Sequence, residues 1–297
     1  MALTQEQIKG RIKNIAKENK ADARVLIRIY MMERFLERVA NSPYAENFVI
    51  KGGILVTSMV GVALRSTMDI DTSIRNLNLS KNDIRQFVEE ICDIDMGDDV
   101  SFVIRDISDI MDDMEYPGIR VSLDAALGKM ITPIKIDISA GDAITPRAIE
   151  YDYKLMLEDR SIRLWSYNLE TIIAEKMQTV LSRGVLNTRM RDYYDLYTLL
   201  LRYENSIDNK TLAQAFEATC GKRGDVKLIG SGDVIIEIIS ADSGMKKLWQ
   251  AYQIKYSYAA DLNYNKVVNA VRDIYTQIKR NLTEDLEPYI FAKRGYN

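Results

Sequence analysis

Between residues 48 and 74 the chain predicts a strand, a glycine turn, a helix and a second strand, in that order. Residues 48–50 form a short apolar run that Gly52 and Gly53 interrupt, and residues 54–62 have the composition of a helix. Polar and apolar residues then alternate over 69–74, the period of a strand with one buried face. This order predicts an α/β module in which helices pack on a sheet.

The rest of the chain frames this module with helices. Apolar stripes predict two helices within residues 4–40, and Ser80 begins another that runs to about Cys92. β-Branched residues predict three strands at 100–104, 119–123 and 132–138. From Ser166 the pattern is helical, with a loop at 230–232, a further helix at 263–282 and a polar tail.

These segments predict an α/β (α+β) fold with three parts. They are an N-terminal helical arm at 1–42, a sheet domain at 43–160, and a helical C-terminal domain at 161–297. A chain of 297 residues with 47 % apolar residues is long enough for more than one domain.

Composition limits the chemistry and the compartment. The chain has no histidine and two cysteines, which excludes Ser-His-Asp and Cys-His catalysis and histidine-ligated zinc. The N-terminus lacks the order of a signal peptide, and no apolar run reaches the roughly 18 residues of a membrane span. We therefore expect a cytoplasmic protein without a membrane partner. A net charge of −3 argues against bulk nucleic-acid binding but leaves room for a local basic groove.

Three aspartates are the candidate metal ligands. Asp69 and Asp71 lie two apart on a predicted strand, so they share a face. Asp137 lies on the polar face of another strand, where it is either a third ligand or a base for an attacking hydroxyl. Two bare carboxylates about 4 Å apart repel by roughly 4 kcal/mol at an effective dielectric of 20, and a hard cation such as Mg²⁺ relieves that repulsion. An Asp-x-Asp pair also occurs by chance, so the pair alone does not establish a metal site.

The segment Lys51-Gly52-Gly53 is a candidate phosphate-binding turn. Paired glycines let a backbone approach phosphate, and the following helix offers free N–H groups. Arg65 offers a fork for phosphate oxygens, and Thr67 lies beside it just before the aspartates. The alternatives are an ordinary strand-to-helix turn, a surface arginine and a strand-edge threonine.

Lys176 lies in the middle of the apolar stripe of a predicted helix. A lysine there must be paired, serve a ligand, or extend its ammonium to solvent at the edge of the stripe. Asp192 and Asp195 share a face of the next helix with two leucines. We expect these aspartates to pair with a cation such as Lys176 or Arg191. The group forms either a structural ion-pair network or part of a ligand site.

Taken together, these residues resemble the AbiEii/AbiGii toxin family of nucleotidyltransferases, from type IV toxin–antitoxin and abortive phage infection systems. The resemblance covers roughly residues 48–200 and rests on the order and spacing of five segments. They are 48–53, 65–71, the strand containing Asp137, 168–176 and 189–199. It implies a polymerase-β-like nucleotidyltransferase fold. One departure is Gly53, which stands where this fold usually has serine.

The resemblance also implies the roles of individual residues. Gly52 and Gly53 would hold nucleotide phosphates, Asp69 and Asp71 would bind Mg²⁺ with Asp137 as third acidic residue, and Lys176 and Asp195 would act in the active site. Lys51, Arg65 and Thr67 complete the predicted nucleotide contacts. The expected reaction transfers a nucleoside monophosphate from an NTP to RNA, such as a tRNA end. We also expect a separately encoded antitoxin without a stable complex. The alternatives are transfer to a small molecule or protein, and an inactive nucleotide-binding protein.

Overall fold

The chain folds as two units, which we call the sheet unit and the helical unit. The sheet unit comprises Met1–Asp142 and Ala148–Tyr167, and the helical unit comprises Ala143–Arg147 and Asn168–Asn297. The structure, a computed structural model, describes residues 3–110 and 118–284. Within these two ranges, none of the helices is both long and apolar enough to cross a bilayer.

Two capped helices begin the sheet unit and confirm the prediction for residues 4–40. Helix α1 (Gln5–Glu18) begins after Thr4, whose side chain accepts from the backbone N–H of Gln7 in a capping box. Helix α2 (Ala23–Ala40) begins after Asp22, whose side chain accepts from the backbone N–H of Arg24. Most of α2 is buried because it packs against the sheet.

Seven strands form one mixed sheet over the described residues, which confirms the α/β class. In chain order they are β1 (Phe48–Lys51), β2 (Ile70–Ile74), β3 (Val100–Ile110), β4 (Gly118–Leu127), β5 (Met130–Ala140), β6 (Ile149–Lys154) and β7 (Ser161–Ser166). The order across the sheet is β3-β4-β5-β2-β1-β7-β6. Strand β2 pairs parallel to β5, and β1 pairs parallel to β7, while the other neighbours are antiparallel.

Two further helices connect the first strands. Helix α3 (Gly52–Val60) leaves β1 directly at the glycine pair, as predicted. Helix α4 (Lys81–Cys92) follows β2 and is capped by Ser80, whose hydroxyl accepts from the N–H of Asp83. The strand–turn–helix–strand order therefore places the glycine turn at the end of β1, next to β2.

The hairpin of β6 and β7 was not predicted from sequence. The predicted boundary at residue 160 falls between these two strands, and residues 161–167 belong to the sheet unit. Strand β6 closes one edge of the sheet and pairs only with β7, so many of its side chains are exposed and its sequence lacks an apolar run. Edge strands of this kind give a weak sequence signal.

The helical unit has six α-helices among the residues that the structure describes. They are α5 (Leu169–Arg183), α6 (Met190–Tyr203), α7 (Asn209–Lys222), α8 (Leu228–Ala241), α9 (Ser243–Lys255) and α10 (Tyr264–Glu284). Helix α10 confirms the predicted helix at 263–282. The predicted polar tail lies outside the described residues.

The predicted loop at 230–232 is wrong, because these residues lie inside α8. Gly232 is needed there for close packing: a Cβ on it would lie 2.4 Å from the ring of Tyr275 on α10. The hydroxyl of Tyr275 also accepts a hydrogen bond from the backbone N–H of Gly232, at 3.1 Å. Helix packing, rather than a turn, accounts for this glycine.

Candidate active site

The Gly52-Gly53 turn is shaped around the carboxylate of Asp71. Gly52 has a φ of +56°, and a Cβ on it would lie 2.3 Å from Oδ2 of Asp71. The backbone N–H of Gly53 donates to the same oxygen at 2.9 Å. The turn therefore needs glycine both for its left-handed backbone and for room to hold this carboxylate.

Arg65 and Thr67 support the turn from within the protein. Arg65 is 2 % exposed, and its Nη1 donates to the carbonyl of Gly53 at 2.6 Å and to the hydroxyl of Thr57 at 3.0 Å. A Cβ on Gly53 would lie 2.5 Å from Oγ1 of Thr67. The phosphate contacts predicted for Arg65 and Thr67 stay predictions, and the structure gives both residues a second role as supports of the turn.

Four charged residues stand in one register row across four adjacent strands, and we call them the charge row. Arg120 on β4 pairs with Asp137 on β5, Asp137 pairs with Asp71 on β2, and Asp71 pairs with Lys51 on β1. Residues in register on neighbouring strands project to the same face of a sheet. The predicted acidic residues Asp71 and Asp137 are therefore brought together, flanked by one cation on each side.

Arg120 holds Asp137 in a bidentate ion pair. Its Nε and Nη2 donate to the two carboxylate oxygens, both at 2.7 Å, and the carboxylate is 8 % exposed. A fork of this geometry binds carboxylate tightly and fixes its orientation. Sequence reasoning missed Arg120, because its partner lies on a different strand and only the register identifies the pair.

Asp69 stands immediately before β2, where negative charge accumulates. Burial raises the pKa of its carboxyl, and the carboxylates of Asp71 and Asp137 raise it further, against the lowering effect of Lys135 and Arg120. Oxygen ligands with mutual repulsion suit a hard divalent cation. Within residues 3–110 and 118–284, however, no group of three or more acidic or cysteine side chains is arranged as a metal site. The pair Asp69 and Asp71 fits a cation better than the trio does, since Arg120 already neutralises Asp137.

Lys51 belongs to a buried polar network beside the charge row. Its Nζ lies 2.5 Å from Oδ2 of Asp142 and 2.8 Å from the hydroxyl of Ser139. Tyr167 also donates to Asp142, at 2.7 Å. Burial raises the pKa of Asp142, but the charge of Lys51 and these hydrogen bonds outweigh it and hold the pKa well below its usual range.

Asp142 is a second residue that sequence reasoning missed. The available signal was Lys51 itself, which lies at 8 % exposure in a strand whose other residues are all buried. A buried ammonium requires a carboxylate partner. That reasoning predicts an acidic residue nearby but not its position 91 residues along the chain.

In the helical unit, Lys176 joins two buried carboxylates on the next helix. Its Nζ lies 2.9 Å from Asp192 and 2.7 Å from Asp195, and these two carboxylates are 3 % and 0 % exposed. Nε of Arg189 lies 2.9 Å from the other oxygen of Asp192, an ion pair without hydrogen-bond geometry. Burial raises the pKa of Asp192, and the charges of Lys176 and Arg189 outweigh this and lower it. Lys176 is thus paired in this structure, and a role in nucleotide binding stays a prediction.

The comparisons with known proteins agree with the sequence resemblance. The model of the nucleotidyl transferase AbiEii toxin family, of type IV toxin–antitoxin systems, matches residues 34–277. No curated protein matches the sequence. The matched range includes every candidate residue from Lys51 to Asp195.

Three solved structures are similar to the chain at low identity. A candidate nucleotidyltransferase from H. pylori is 18 % identical with a TM-score of 0.49, covering 89 % of this chain and 97 % of its own. JHP933 from Helicobacter pylori is 16 % identical with a TM-score of 0.47, covering 91 % and 97 %. An antigenic nucleotidyltransferase-like protein from Paracoccidioides brasiliensis is 13 % identical with a TM-score of 0.33, covering 76 % and 93 %.

Proposed function

The chain belongs to the AbiEii nucleotidyl transferase toxin family of type IV toxin–antitoxin systems, and from that premise we propose that it transfers a nucleoside monophosphate to RNA. In this reaction a hydroxyl of the acceptor attacks the α-phosphorus of an NTP, and the bond to pyrophosphate breaks. A tRNA end is the acceptor we expect. The observation that carries the proposal is the charge row at the Gly52-Gly53 turn, where acidic residues and a helix N-terminus meet.

Asp69 and Asp71 are the residues we propose to hold Mg²⁺. Both offer oxygen ligands, and the raised pKa of Asp69 marks the place where a cation relieves repulsion. When bound, the ion would bind triphosphate oxygens and stabilise charge on the departing pyrophosphate. Gly52 and Gly53 would bring the start of α3 to the phosphates, and the N–H of Gly53 would leave Asp71 to contact them.

Asp137 is the residue we propose to orient and help deprotonate the acceptor hydroxyl. Its two oxygens are both held by Arg120. Each carboxylate oxygen keeps a second lone pair, through which it can accept the proton while Arg120 holds the group in place. Arg120 accordingly becomes a positioning residue in the proposal.

Lys176 and Asp195 enter the proposal through the family resemblance. We propose that Lys176 neutralises phosphate charge and that Asp195 positions its ammonium. The 2.7 Å pair between them supports the positioning role of Asp195. This part of the proposal is independent of the metal ligands and can fail separately.

Labelled NTPs test the reaction and identify the acceptor. The purified protein is incubated with each labelled NTP, Mg²⁺ and total cell RNA, and labelled products are separated by class. We expect label in RNA with wild type, and with the exposed control Asp106→Asn, but not with Asp69→Asn. Label in protein or a small molecule would replace RNA as the acceptor. NTP binding without any transfer would identify an inactive nucleotide-binding protein.

Growth measurements test the proposed toxin activity in cells. Expression of the protein should arrest bacterial growth, and Asp69→Ala should relieve the arrest, since the reaction needs that carboxylate. Equal arrest by both proteins would refute an enzymatic cause. Cells carrying the toxin with its antitoxin gene should limit phage spread, whereas cells carrying Asp69→Ala should not.

We propose that the antitoxin of this system acts without a stable complex with the chain. Co-expression followed by affinity purification should therefore recover the toxin alone while growth is restored. A stoichiometric complex of nanomolar affinity would contradict this expectation.

A further inference from the structure

Four tyrosines of the helical unit pack together, and we call them the tyrosine cluster: Tyr194, Tyr252, Tyr256 and Tyr258. The centroids of the rings lie 4.9 Å apart for Tyr194 and Tyr258, 4.6 Å for Tyr252 and Tyr256, and 5.3 Å for Tyr256 and Tyr258. The planes of Tyr256 and Tyr258 differ by only 26°. Aromatic pairs at these distances form stable stacked or tilted contacts.

Two rings of the cluster are buried, and the other two are partly exposed. Tyr194 and Tyr252 are 4 % and 8 % exposed, and Trp249 stacks beneath Tyr252 at 5.3 Å. Tyr256 and Tyr258 are partly exposed: Tyr256 directly follows α9, and Tyr258 lies in the short 3-10 helix after it, Ser257–Ala259. The buried rings therefore fix the orientation of two rings that solvent and ligands can reach.

Arg191 supplies a cation beside one of the partly exposed rings. Its guanidinium lies 5.5 Å from the ring centroid of Tyr256, and Nη2 donates to the hydroxyl of that tyrosine at 3.0 Å. Among residues 3–110 and 118–284, Arg191 forms no ion pair, although Asp192 and Asp195 on the same helix are paired with Lys176. The charge of Asp195 acts on this guanidinium, but no carboxylate of the described residues forms an ion pair with it, which favours an anionic ligand at its remaining donors.

Lys255 adds a second cation beside the same ring. Its Nζ lies 5.4 Å from the ring centroid of Tyr256, and its side chain is exposed. Ring faces interleaved with basic side chains are the features by which proteins bind single-stranded nucleic acid: bases stack on the rings, and phosphates meet the cations. A core cluster alone would not require two cations at its exposed edge.

We propose that the tyrosine cluster and Arg191 bind a nucleotide, with its base on Tyr256 or Tyr258 and its phosphate at Arg191. The inference rests on the proposed function, which supplies the source: an unpaired nucleotide of the RNA acceptor. A free NTP carries the same base and phosphate chemistry and is the other source. Tyr252, Tyr256 and Tyr258 lie beyond the segments that carried the sequence resemblance, whereas Arg191 and Tyr194 lie in its last segment, 189–199.

Binding rather than transfer is the readout, so the inference and the proposed function can fail separately. Anisotropy of a labelled, unstructured RNA of about ten nucleotides gives the Kd for RNA, and a labelled non-hydrolysable NTP gives the Kd for nucleotide. In a Trp165→Phe background, quenching of Trp249 fluorescence reports binding at the cluster, because Trp249 stacks on Tyr252. All measurements use the full chain.

The variants separate stacking from packing. Tyr256→Leu removes the ring face and should weaken RNA binding about tenfold, since a stacked base contributes on the order of 1–3 kcal/mol. Tyr256→Phe keeps the ring and should stay within about twofold of wild type. Tyr197→Leu, a partly exposed tyrosine of α6 outside the cluster, is the matched control and should bind as wild type.

The arginine gives a second and independent test. Arg191→Met should weaken RNA binding about tenfold and reduce the salt dependence by about one counterion, as expected for one lost phosphate contact. This test holds even if Tyr256→Leu lowers stability. A loss confined to the NTP would assign the site to the NTP instead of the RNA. Wild-type affinity of both Tyr256→Leu and Arg191→Met for RNA and NTP would overturn the inference, whether or not the protein transfers nucleotides.

Discussion

Replacing Lys176 with methionine removes one ammonium from two buried carboxylates while it keeps most of the side-chain volume. Lys176 lies within 2.9 Å of both Asp192 and Asp195, and the carboxylates are 3 % and 0 % exposed. After the substitution, Arg189 still neutralises one oxygen of Asp192. Asp195 loses its 2.7 Å cation, and the two aspartates then face each other with less compensation.

The expected loss of stability is large. Removal of one partner from a buried ion pair costs about 3–5 kcal/mol, because a charge is left buried without its counter-charge. For a unit of this size, each kcal/mol shifts the Tm by roughly 2–4 °C, so the Tm of Lys176→Met should fall by about 6–20 °C. The exposed Lys247→Met on α9 is the matched control and should shift the Tm little.

A double-mutant cycle separates charge from packing. Lys176→Met combined with Asp195→Asn removes one of the two stranded carboxylates and should recover part of the lost stability. Calorimetry with and without NTP gives both stability and binding. The reasoning is refuted if Lys176→Met keeps or raises the Tm while NTP binding falls sharply. That result would mean that the ammonium is matched by a ligand rather than by the aspartates.

Three further substitutions test other parts of the sheet unit. Burial raises the pKa of the Glu33 carboxyl to about 8, so this group destabilises the fold progressively as the pH rises from its unfolded pKa of 4.5 towards 8. In thermal melts, Glu33→Gln should therefore stabilise the protein by about 3 kcal/mol at pH 7 and by less than about 1 kcal/mol at pH 5. An equal gain at both pH values would contradict this. Gly52→Ala should cost about 1–2 kcal/mol of stability through backbone strain and lower the transfer activity, because its Cβ would displace Asp71. Gly10 lies in a helix with open space beside it, so Gly10→Ala is the control and should be neutral or stabilising. The pKa of Asp142 is lowered in the folded protein, so its contribution to stability is present above its unfolded pKa of 3.8 and is lost as the pH falls below that value. Asp142→Asn should cost about 3–5 kcal/mol of stability at neutral pH and weaken the dependence of the Tm on acid. An unchanged melting curve at pH 7 would count against the buried ion pair.

The spacing of apolar residues was sufficient to predict the helices and strands that bury one face. Helices α1, α2, α4 and α10 and the strands in the centre of the sheet follow directly from apolar spacing. Strand β6 forms an exposed edge, where only one of its six residues, Tyr153, is buried. Strand β7 alternates exposed or partly exposed residues with buried ones, but over only six positions. Gly232 led to the wrong prediction of a loop, because its small size allows close packing against Tyr275 and does not form a turn.

The acidic residues of the site could be predicted from sequence, whereas their partners could not. Asp69 and Asp71 lie two apart, so local spacing alone places them at one end of β2. Arg120 and Asp142 contribute through strand register and long-range contacts, 17 and 91 residues from their partners. A single sequence does not specify register between strands, so it cannot identify which cation neutralises which carboxylate.

The partners of these carboxylates show which negative charges of the site have no counter-charge. Asp137 is matched by Arg120, Asp142 is matched by Lys51, and Asp71 accepts from the N–H of Gly53. Over the described part of the chain, the carboxylate of Asp69 has no hydrogen-bond or ion-pair partner, and its pKa is raised by burial and by its acidic neighbours. Cations are paired with Asp137 and Asp142, but Asp71 has only a backbone N–H and Asp69 has none of these, so their negative charges bear an electrostatic cost that a bound cation would remove. The excess of charge therefore singles out Asp69 more sharply than its position in an Asp-x-Asp pair does.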